Sequence, residues 1–264
     1  MNFERKPVFN GAVPSKIRRA IFIALALLAL AVRLPQLGER PMHTDEAINA
    51  YITGDLLAGN SFHYDPKDRH GPALFVLTEP VVKLLGAKNF SELTETQLRL
   101  STVLTGTATV LLFGAGVEMF GFIPCLIAAL LFAFAPLPLY YSRYFIHETF
   151  FITATLGLIL SGWRAMQKNS LSSAALAGFC AALMLACKET AVLHFFALAA
   201  ALFVCRVFFR TPATSPARTS AMMKQVGTMP GVPFWKIIST AAAVFFFVFI
   251  LLFTWFGRDW RALP

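Results

Sequence analysis

The sequence predicts an all-α, polytopic membrane protein whose core is a transmembrane helical bundle of about seven spans. Hydrophobic residues make up 57% of the 264 residues and charged residues only 14%, whereas soluble domains carry about 25% charged residues. Apolar segments recur at about 20 residues, the length that lets a helix cross a hydrocarbon core of roughly 30 Å. The net charge of +9 is distributed by loop, as in membrane proteins, and therefore does not predict a nucleic-acid partner.

Seven segments qualify as spans, some of them marginally by length. They are approximately residues 17–36, 98–119, 122–141, 148–165, 172–187, 191–209 and 237–256. Residues 37–97 form a long polar loop after the first span, and residues 210–236 form a second loop before the last. We therefore divide the chain into a basic N-terminal segment, 1–16, and a transmembrane domain, 17–264.

Basic residues predict the orientation, because Lys and Arg are enriched in cytoplasmic loops. With the N-terminus inside, twelve Lys and Arg and two acids fall on the inner side, and the totals of 23 and 14 leave eleven bases and twelve acids outside. We therefore predict a multi-pass protein of the cell (cytoplasmic) membrane, with a cytoplasmic N-terminus and loop 210–236 and with the C-terminus outside. The alternative is that residues 16–31 are a cleaved signal peptide, which would invert this topology unless another span were lost.

Two interfacial helices are predicted in the outer loop, at about 44–59, with Thr44 as its N-cap, and at about 71–86. Each has an apolar stripe at helical spacing. The stripes are Ile48, Tyr51, Ile52 and Leu56 in the first helix and Leu74, Leu77, Val81 and Leu84 in the second. The second helix carries Glu79 and Lys83 near its middle, where a spanning helix would place charge at the bilayer centre. A helix lying at the interface avoids this cost.

Titratable residues accumulate at one depth on the predicted outer side. They follow the first span, lie in the outer loop, join the third and fourth spans, and follow the fifth. These residues are His43, Asp45, Glu46, His70, Arg143, His147, Glu148, Lys188 and Glu189. Because three separate connections supply them, we expect them to form a polar site at the interface.

The order of several short motifs resembles the polytopic glycosyltransferases of the GT-C type. The motifs are TDEA at 44–47, RHGP at 69–72, RLSTVLTG at 99–106, YYSRYFIHE at 140–148 and CKET at 187–190. That superfamily includes the dolichyl-phosphate-mannose protein mannosyltransferases, and MHTDEAINAY with RHGPALF is most similar to its flippase-activity-associated branch. The resemblance covers the family's N-terminal half, so we expect a short member, a fragment or one part of a split enzyme.

The resemblance implies transfer of a sugar from a polyprenyl-phosphate-linked donor to an acceptor at the outer, extracytoplasmic membrane face. The implied partners are the lipid-linked sugar, a glycan, lipid or protein acceptor, and membrane lipid. Such a reaction needs a carboxylate that accepts the acceptor's proton and cations that bind the leaving phosphate. No cofactor is predicted, and a divalent cation, Mg²⁺ or Mn²⁺, stays an open alternative.

These requirements assign roles to the polar residues. Asp45 is the candidate base, Glu46 orients it, and Glu148 is a second acidic contact. The predicted substrate-binding residues are His43, His70, Arg143, His147, Lys188 and Glu189. The rival functional class is a non-catalytic membrane subunit or a transporter or flippase-associated protein, although a transporter would place ionisable residues near the midplane.

Each role has a structural alternative. Asp45 and Glu46 would also stabilise the start of a helix through its dipole, and Arg143 would anchor a helix end beside Tyr140, Tyr141 and Tyr144. His147 is more typical of a structural hydrogen bond than of a catalyst. The metal alternative rests on His43 and Asp45 acting with His63 and Asp65.

Overall fold

A computed structural model describes residues 13–67, 69–208 and 232–262, and within these ranges all regular structure is helical. We number the α-helices in chain order. They are α1 (Ser15–Arg33), α2 (Thr44–Leu57), α3 (Ala73–Leu84), α4 (Glu95–Ala115), α5 (Val117–Phe120), α6 (Phe122–Phe134), α7 (Pro136–Tyr141), α8 (Glu148–Lys168), α9 (Leu171–Cys187), α10 (Ala191–Phe208) and α11 (Phe234–Phe253). The predicted all-α fold is therefore confirmed. Most of the predicted basic segment 1–16 and of the loop 210–236 lies outside the described residues.

The bundle contains helices that can cross a membrane. By length and composition α4, α8 and α11 are long and apolar enough to span, and α6, α9 and the first part of α10 are shorter apolar helices. Helix α1 coincides with the first predicted span but begins with Lys16, Arg18 and Arg19. The three long helices and the three shorter apolar ones confirm the predicted polytopic membrane architecture, and the spanning of α1 stays a prediction.

The predicted span 122–141 is wrong as a single helix. It divides at Ala135, whose backbone is extended with φ −63° and ψ 142°, because a proline at 136 disfavours the helical conformation of the preceding residue. Arg33 of α1 covers the break: its guanidinium donates to the carbonyls of Phe132 and Ala133 at 2.9 and 3.0 Å. The same side chain donates to Ser142 Oγ at 2.8 Å, which ties α1 to the segment that follows α7.

The two helices predicted in loop 37–97 are present as α2 and α3, with corrections to α2. Its N-cap is His43 rather than Thr44, since the Asp45 amide donates to His43 Nδ1. The predicted stripes are only partly buried within the protein. In α2, Ile52 and Leu56 are buried while Ile48 and Tyr51 are 51% and 67% exposed, and in α3 Leu74 is buried while Leu84 is 88% exposed. The buried and the exposed positions of α2 are both apolar, so the spacing of apolar residues could not predict which of them are buried. The location of α2 and α3 at a membrane interface stays a prediction.

One core joins the loop helices to the bundle. Buried residues of α2 and α3 form a single cluster with residues of α4, α8 and α9, among them Leu74, Phe75, Leu98 and Phe150. Close backbone contact fixes part of this packing. A Cβ at Gly71 would lie 2.4 Å from the carbonyl oxygen of Ala186, so glycine is required where the start of α3 meets the end of α9. The loop is thereby held against the ends of the spanning helices.

Candidate functional site

A buried ion pair between Glu46 and Arg99 positions α2. Arg99 donates from Nε and Nη2 to the two oxygens of Glu46, each at 2.8 Å, and both side chains are at most 1% exposed. Arg99 also donates to the carbonyls of Leu37 and Arg40 at 2.8 and 2.9 Å. This bidentate, charge-assisted arrangement connects α4 to both the connection after α1 and the start of α2.

Glu46 accepts further hydrogen bonds from the backbone. The amides of Phe145 and His43 donate to it at 2.9 and 3.3 Å, and Arg40 Nη2 donates at 3.2 Å. Burial alone would raise the pKa of Glu46, but the hydrogen bonds from Arg99 and the Phe145 amide hold it below its ordinary value. Glu46 is therefore an ionised carboxylate whose oxygens are committed to structural contacts.

A polar cavity of about 320 Å³ lies beside the N-terminal half of α2. It brings together side chains from α2, the loop before α3, the start of α8 and the turn after α9. Six of the sequence-predicted residues line it: Asp45, His70, His147, Glu148, Lys188 and Glu189. Three separate connections of the chain therefore converge on one cavity, which is the candidate functional site.

Glu189 organises one wall of this cavity. Tyr64 Oη donates to Glu189 Oε1 at 2.9 Å, and His70 Nδ1 lies 3.0 Å from Oε2. Burial alone would raise the pKa of Glu189, but hydrogen bonds from its own backbone, from Tyr64 and from His70 lower it. Burial together with the neighbouring carboxylate raises the pKa of Tyr64 to about 12. Tyr64 thus stays a hydrogen-bond donor, and Glu189 stays an acceptor that orients His70.

His147 lines the cavity and contacts the loop before α3. Its Nε2 donates to the Gly71 carbonyl at 3.2 Å, and its ring packs edge-on against His70 with centroids 5.3 Å apart. Burial, and secondarily the proximity of His70, lowers the pKa of His147 to about 3. The imidazole is therefore neutral at working pH, with its proton on the Nε2 that donates to Gly71.

The opposite wall combines an ion pair with an exposed carboxylate. Lys188 donates from Nζ to Glu148 Oε1, and both side chains are partly buried. Asp45 is 66% exposed, and its Oδ2 lies 3.7 Å from His43 Nδ1. Adjacent residues on α2 therefore have contrasting environments: Glu46 is enclosed by donors, and Asp45 is accessible from the cavity.

Three predicted residues lie outside the cavity lining. Glu46 is buried behind it, and His43 packs edge-on against Tyr144 with centroids 5.9 Å apart. Arg143 donates from Nη2 to the Pro35 carbonyl at 2.5 Å and lines a separate cavity of about 580 Å³ that also includes Arg40. Of the nine predicted residues, six therefore line the candidate site, Arg143 lines another cavity, and His43 and Glu46 line neither.

Several contributors were missed from the sequence. Asn49, Lys67 and Arg69 also line the site, and Arg99 anchors it from α4. Arg69 is the first residue of the RHGP motif and Lys67 lies two positions before it, so both bases lie next to the predicted His70 in the sequence. Arg99 begins the quoted RLSTVLTG motif, but no rule of spacing indicates that it meets Glu46.

Metal ligands are not grouped in the described ranges. Within 13–67, 69–208 and 232–262, no three His, Cys, Asp or Glu side chains lie close enough together to hold an ion. His63, one of the proposed ligands, lies 2.9 Å from Asp259. The alternatives of no cofactor and of a bound Mg²⁺ or Mn²⁺ both stay predictions.

The helical fold and the polar cavity at the ends of the spanning helices define a GT-C-type integral membrane protein. Residues 70–224 match the family model for dolichyl-phosphate-mannose-protein mannosyltransferase, and the chain belongs to this family. The finer assignment to the flippase-activity-associated branch stays a prediction.

A solved structure shares the fold. It is the S. cerevisiae protein O-mannosyltransferase Pmt1-Pmt2 complex bound to the sugar donor, with a TM-score of 0.67 and 16% sequence identity. The match covers 96% of this chain and 35% of that chain, so this chain spans about a third of the relative's length. No curated protein matches the sequence.

Proposed function

We propose that this chain is all or the N-terminal part of a membrane glycosyltransferase that uses a polyprenyl-phosphate-linked sugar. The observation that carries this proposal is the convergence of an accessible carboxylate, Asp45, with basic side chains in one cavity. The family is named for dolichyl-phosphate-mannose, and the solved relative is described as bound to its sugar donor. Mannose is therefore the first sugar to test, with a protein hydroxyl as the first acceptor.

The proposed reaction is a transfer to an acceptor hydroxyl. The acceptor oxygen forms a bond to the anomeric carbon of the sugar, and the bond from that carbon to the phosphate oxygen breaks. Polyprenyl phosphate leaves with the electron pair, and Asp45 accepts the acceptor's proton as general base. Asp45 suits this role because the neighbouring Glu46 makes the structural contacts and leaves the Asp45 side chain at the cavity.

Basic side chains of the cavity would bind the phosphate of the donor and stabilise the charge on the leaving group. The candidates are Lys188, Arg69, Lys67 and His70, all of which line the cavity. Two acids position these donors: Glu148 pairs with Lys188, and Glu189 contacts His70. We therefore assign Glu148 and Glu189 positioning roles, and we assign Glu46 the role of fixing the helix that carries Asp45.

The direct test is to identify the lipid that accompanies the protein. Membranes containing the overexpressed chain are extracted in a mild detergent, and co-purified lipids are analysed by mass spectrometry. We expect a polyprenyl phosphate or its glycosylated form to be enriched over a membrane protein of unrelated fold. Recovery of bulk phospholipid alone, together with no transfer of radiolabelled mannose from its polyprenyl-phosphate donor, would contradict the proposal.

Substitution of Lys188 tests the phosphate side of the site. Lys188→Gln is expected to raise KM for the donor by roughly 10-fold or more, because hydrogen bonds to charged groups contribute about 1.5–3 kcal/mol. Lys188→Arg should largely restore it, since the cation is kept. Lys83→Gln is the matched control because Lys83 pairs with Glu79 away from this cavity. An unchanged donor KM in Lys188→Gln would remove Lys188 from phosphate binding.

The proposed outer location of the site predicts a labelling pattern. In a background without the four native cysteines, single cysteines at 60 and 90 are expected to react with a membrane-impermeant reagent applied outside. A cysteine at 218, which lies outside the described residues, should react only after the membrane is permeabilised. External labelling at 218 with protection at 60 and 90 would reverse the proposed orientation.

A further inference from the structure

A third cavity lies at the other end of the bundle. It has a volume of about 580 Å³ and is lined by residues from α1, α4, α5 and α8. Arg164 of α8 lines this cavity, whereas Glu148, at the other end of α8, lines the candidate site. The 16 residues between them, at about 1.5 Å each along a helix, correspond to about 24 Å. The third cavity is therefore separate from the candidate site.

The charge in this cavity is positive. Its one acidic lining residue, Glu118, accepts a hydrogen bond from Lys168 at 2.8 Å and lies 3.7 Å from Arg164 Nε. Two more arginines line the cavity, Arg18 and Arg19, and no acid of the described ranges lies within ion-pair distance of either. The pairing of Glu118 with Lys168 and Arg164 thus leaves the arginines of α1 uncompensated among those residues.

The N-terminus of α1 adds to this positive potential. Ser15, the first residue of α1, lines the cavity, and no side chain of the described residues caps the start of the helix. The first amides of a helix carry the positive end of its dipole and favour a nearby anion. The cavity thus combines guanidinium groups with a helix N-terminus.

An apolar groove continues from the cavity along α1 and α4. Ile23 and Leu111 line the cavity and are 54% and 43% exposed, and Leu27, one turn further along α1, is 62% exposed. Phe22 closes the groove from behind, because it packs against Gly114, where a Cβ would lie 2.9 Å from the ring. The cationic cavity is therefore joined to exposed apolar side chains of α1 and α4.

We propose that this cavity binds the phosphate head group of an anionic phospholipid, with its acyl chains against Ile23, Leu27 and Leu111. Arginines suit phosphate because their planar groups donate two parallel hydrogen bonds. Basic pockets between transmembrane helices are a recurring form of recognition for anionic lipids. The adjoining exposed apolar residues distinguish a lipid from a soluble phosphate, which would make no use of them. The bound lipid would link α1 to α4 and α8.

Native mass spectrometry of the detergent-purified chain tests this proposal. We expect the parent to bind phosphatidylglycerol at least tenfold more tightly than phosphatidylcholine. Arg18→Gln with Arg19→Gln should lower the affinity for phosphatidylglycerol by about tenfold or more, given the usual contribution of basic residues near anionic lipid. Lys88→Gln with Arg261→Gln removes the same charge from exposed positions elsewhere and is expected to change the affinity by less than about twofold.

Two further measurements distinguish loss of charge from other effects of the substitutions, and a bound lipid from free phosphate. Arg18→Lys with Arg19→Lys keeps both charges and should retain binding within a few-fold, which would show that the glutamine variant fails through charge. Inorganic phosphate at equal concentration should not displace the lipid. Equal affinity of the glutamine variant and the parent, loss of binding in the lysine variant, equal binding of phosphatidylcholine, or displacement by inorganic phosphate would each overturn the proposal.

Discussion

The substitution Asp45→Asn is expected to lower the turnover of sugar transfer by roughly 100-fold or more, the scale typical of losing a general base. The amide keeps the shape of the side chain but does not accept a proton at working pH. Donor affinity should change little, because the cations that would hold the phosphate, such as Lys188 and His70, are untouched. The measurement is kcat and donor KM for transfer from a polyprenyl-phosphate-linked mannose.

The structural alternative for Asp45 predicts a much smaller change. An acid in the first turn of a helix contributes about 0.3–1 kcal/mol through the helix dipole, and the buried contacts of Glu46 already hold this end of α2. Asp55→Asn is the matched control, since Asp55 is an exposed acid in the last turn of the same helix and contacts Asn60. It should transfer at the parental rate.

The assay has to include the remainder of the protein, because this chain spans about a third of the solved relative. Membrane abundance of each variant is measured in parallel by immunoblot. Parental turnover in Asp45→Asn at equal abundance would remove the catalytic role and leave Asp45 as a residue that stabilises a helix start. It would also favour the non-catalytic membrane subunit as the function of this chain.

Much of the fold could be predicted because the bilayer restricts what a spanning segment can be. Only helices with about 20 apolar residues satisfy both the thickness of the membrane and the backbone hydrogen bonds, so the apolar segments of the sequence predicted most of the long helices. The division at Ala135 was missed because the segment 122–141 is apolar throughout and Pro136 does not change its hydropathy. The contacts of Arg33 with the carbonyls at this break depend on α1, about 100 residues earlier in the chain.

The candidate site was only partly predictable. Topology placed the ends of several helices at one depth, and six of nine predicted residues do line one cavity. The sequence could not separate Asp45 from Glu46, however, because consecutive residues on a helix point about 100° apart and either could face the cavity. The contact with Arg99, which lies 53 positions after Glu46, separates the two acids. It holds Glu46 in the core and leaves Asp45 at the cavity.

The substitution Arg99→Met is expected to lower the stability of the folded protein by about 3–5 kcal/mol, the cost typical of leaving one member of a buried ion pair without its partner. Glu46 would lose two charge-assisted contacts at 2.8 Å. It would keep hydrogen bonds from the amides of Phe145 and His43 and the longer, partly exposed contact with Arg40 at 3.2 Å. For a protein of this size, each kcal/mol corresponds to about 2–4 °C in the melting temperature. The apparent melting temperature in detergent, followed by size-exclusion chromatography after heating, should therefore fall by about 10 °C. Because α2 would also lose its anchor, transfer activity should decrease in preparations that remain folded.

A double variant and an exposed pair test whether this loss comes from the buried charge. Glu46→Leu with Arg99→Met removes both charges, and replacing both members of such a pair by apolar residues is often neutral or stabilising. The double variant should therefore melt above Arg99→Met, although the carbonyls of Leu37 and Arg40 would still lack their donor and recovery should be incomplete. Lys83→Met breaks the pair with Glu79, which is partly exposed, and should change stability by less than about 1 kcal/mol. If Arg99→Met and Lys83→Met melt at the same temperature, the pair between Glu46 and Arg99 does not hold α2 in place. Its role in presenting Asp45 to the cavity would then be lost as well.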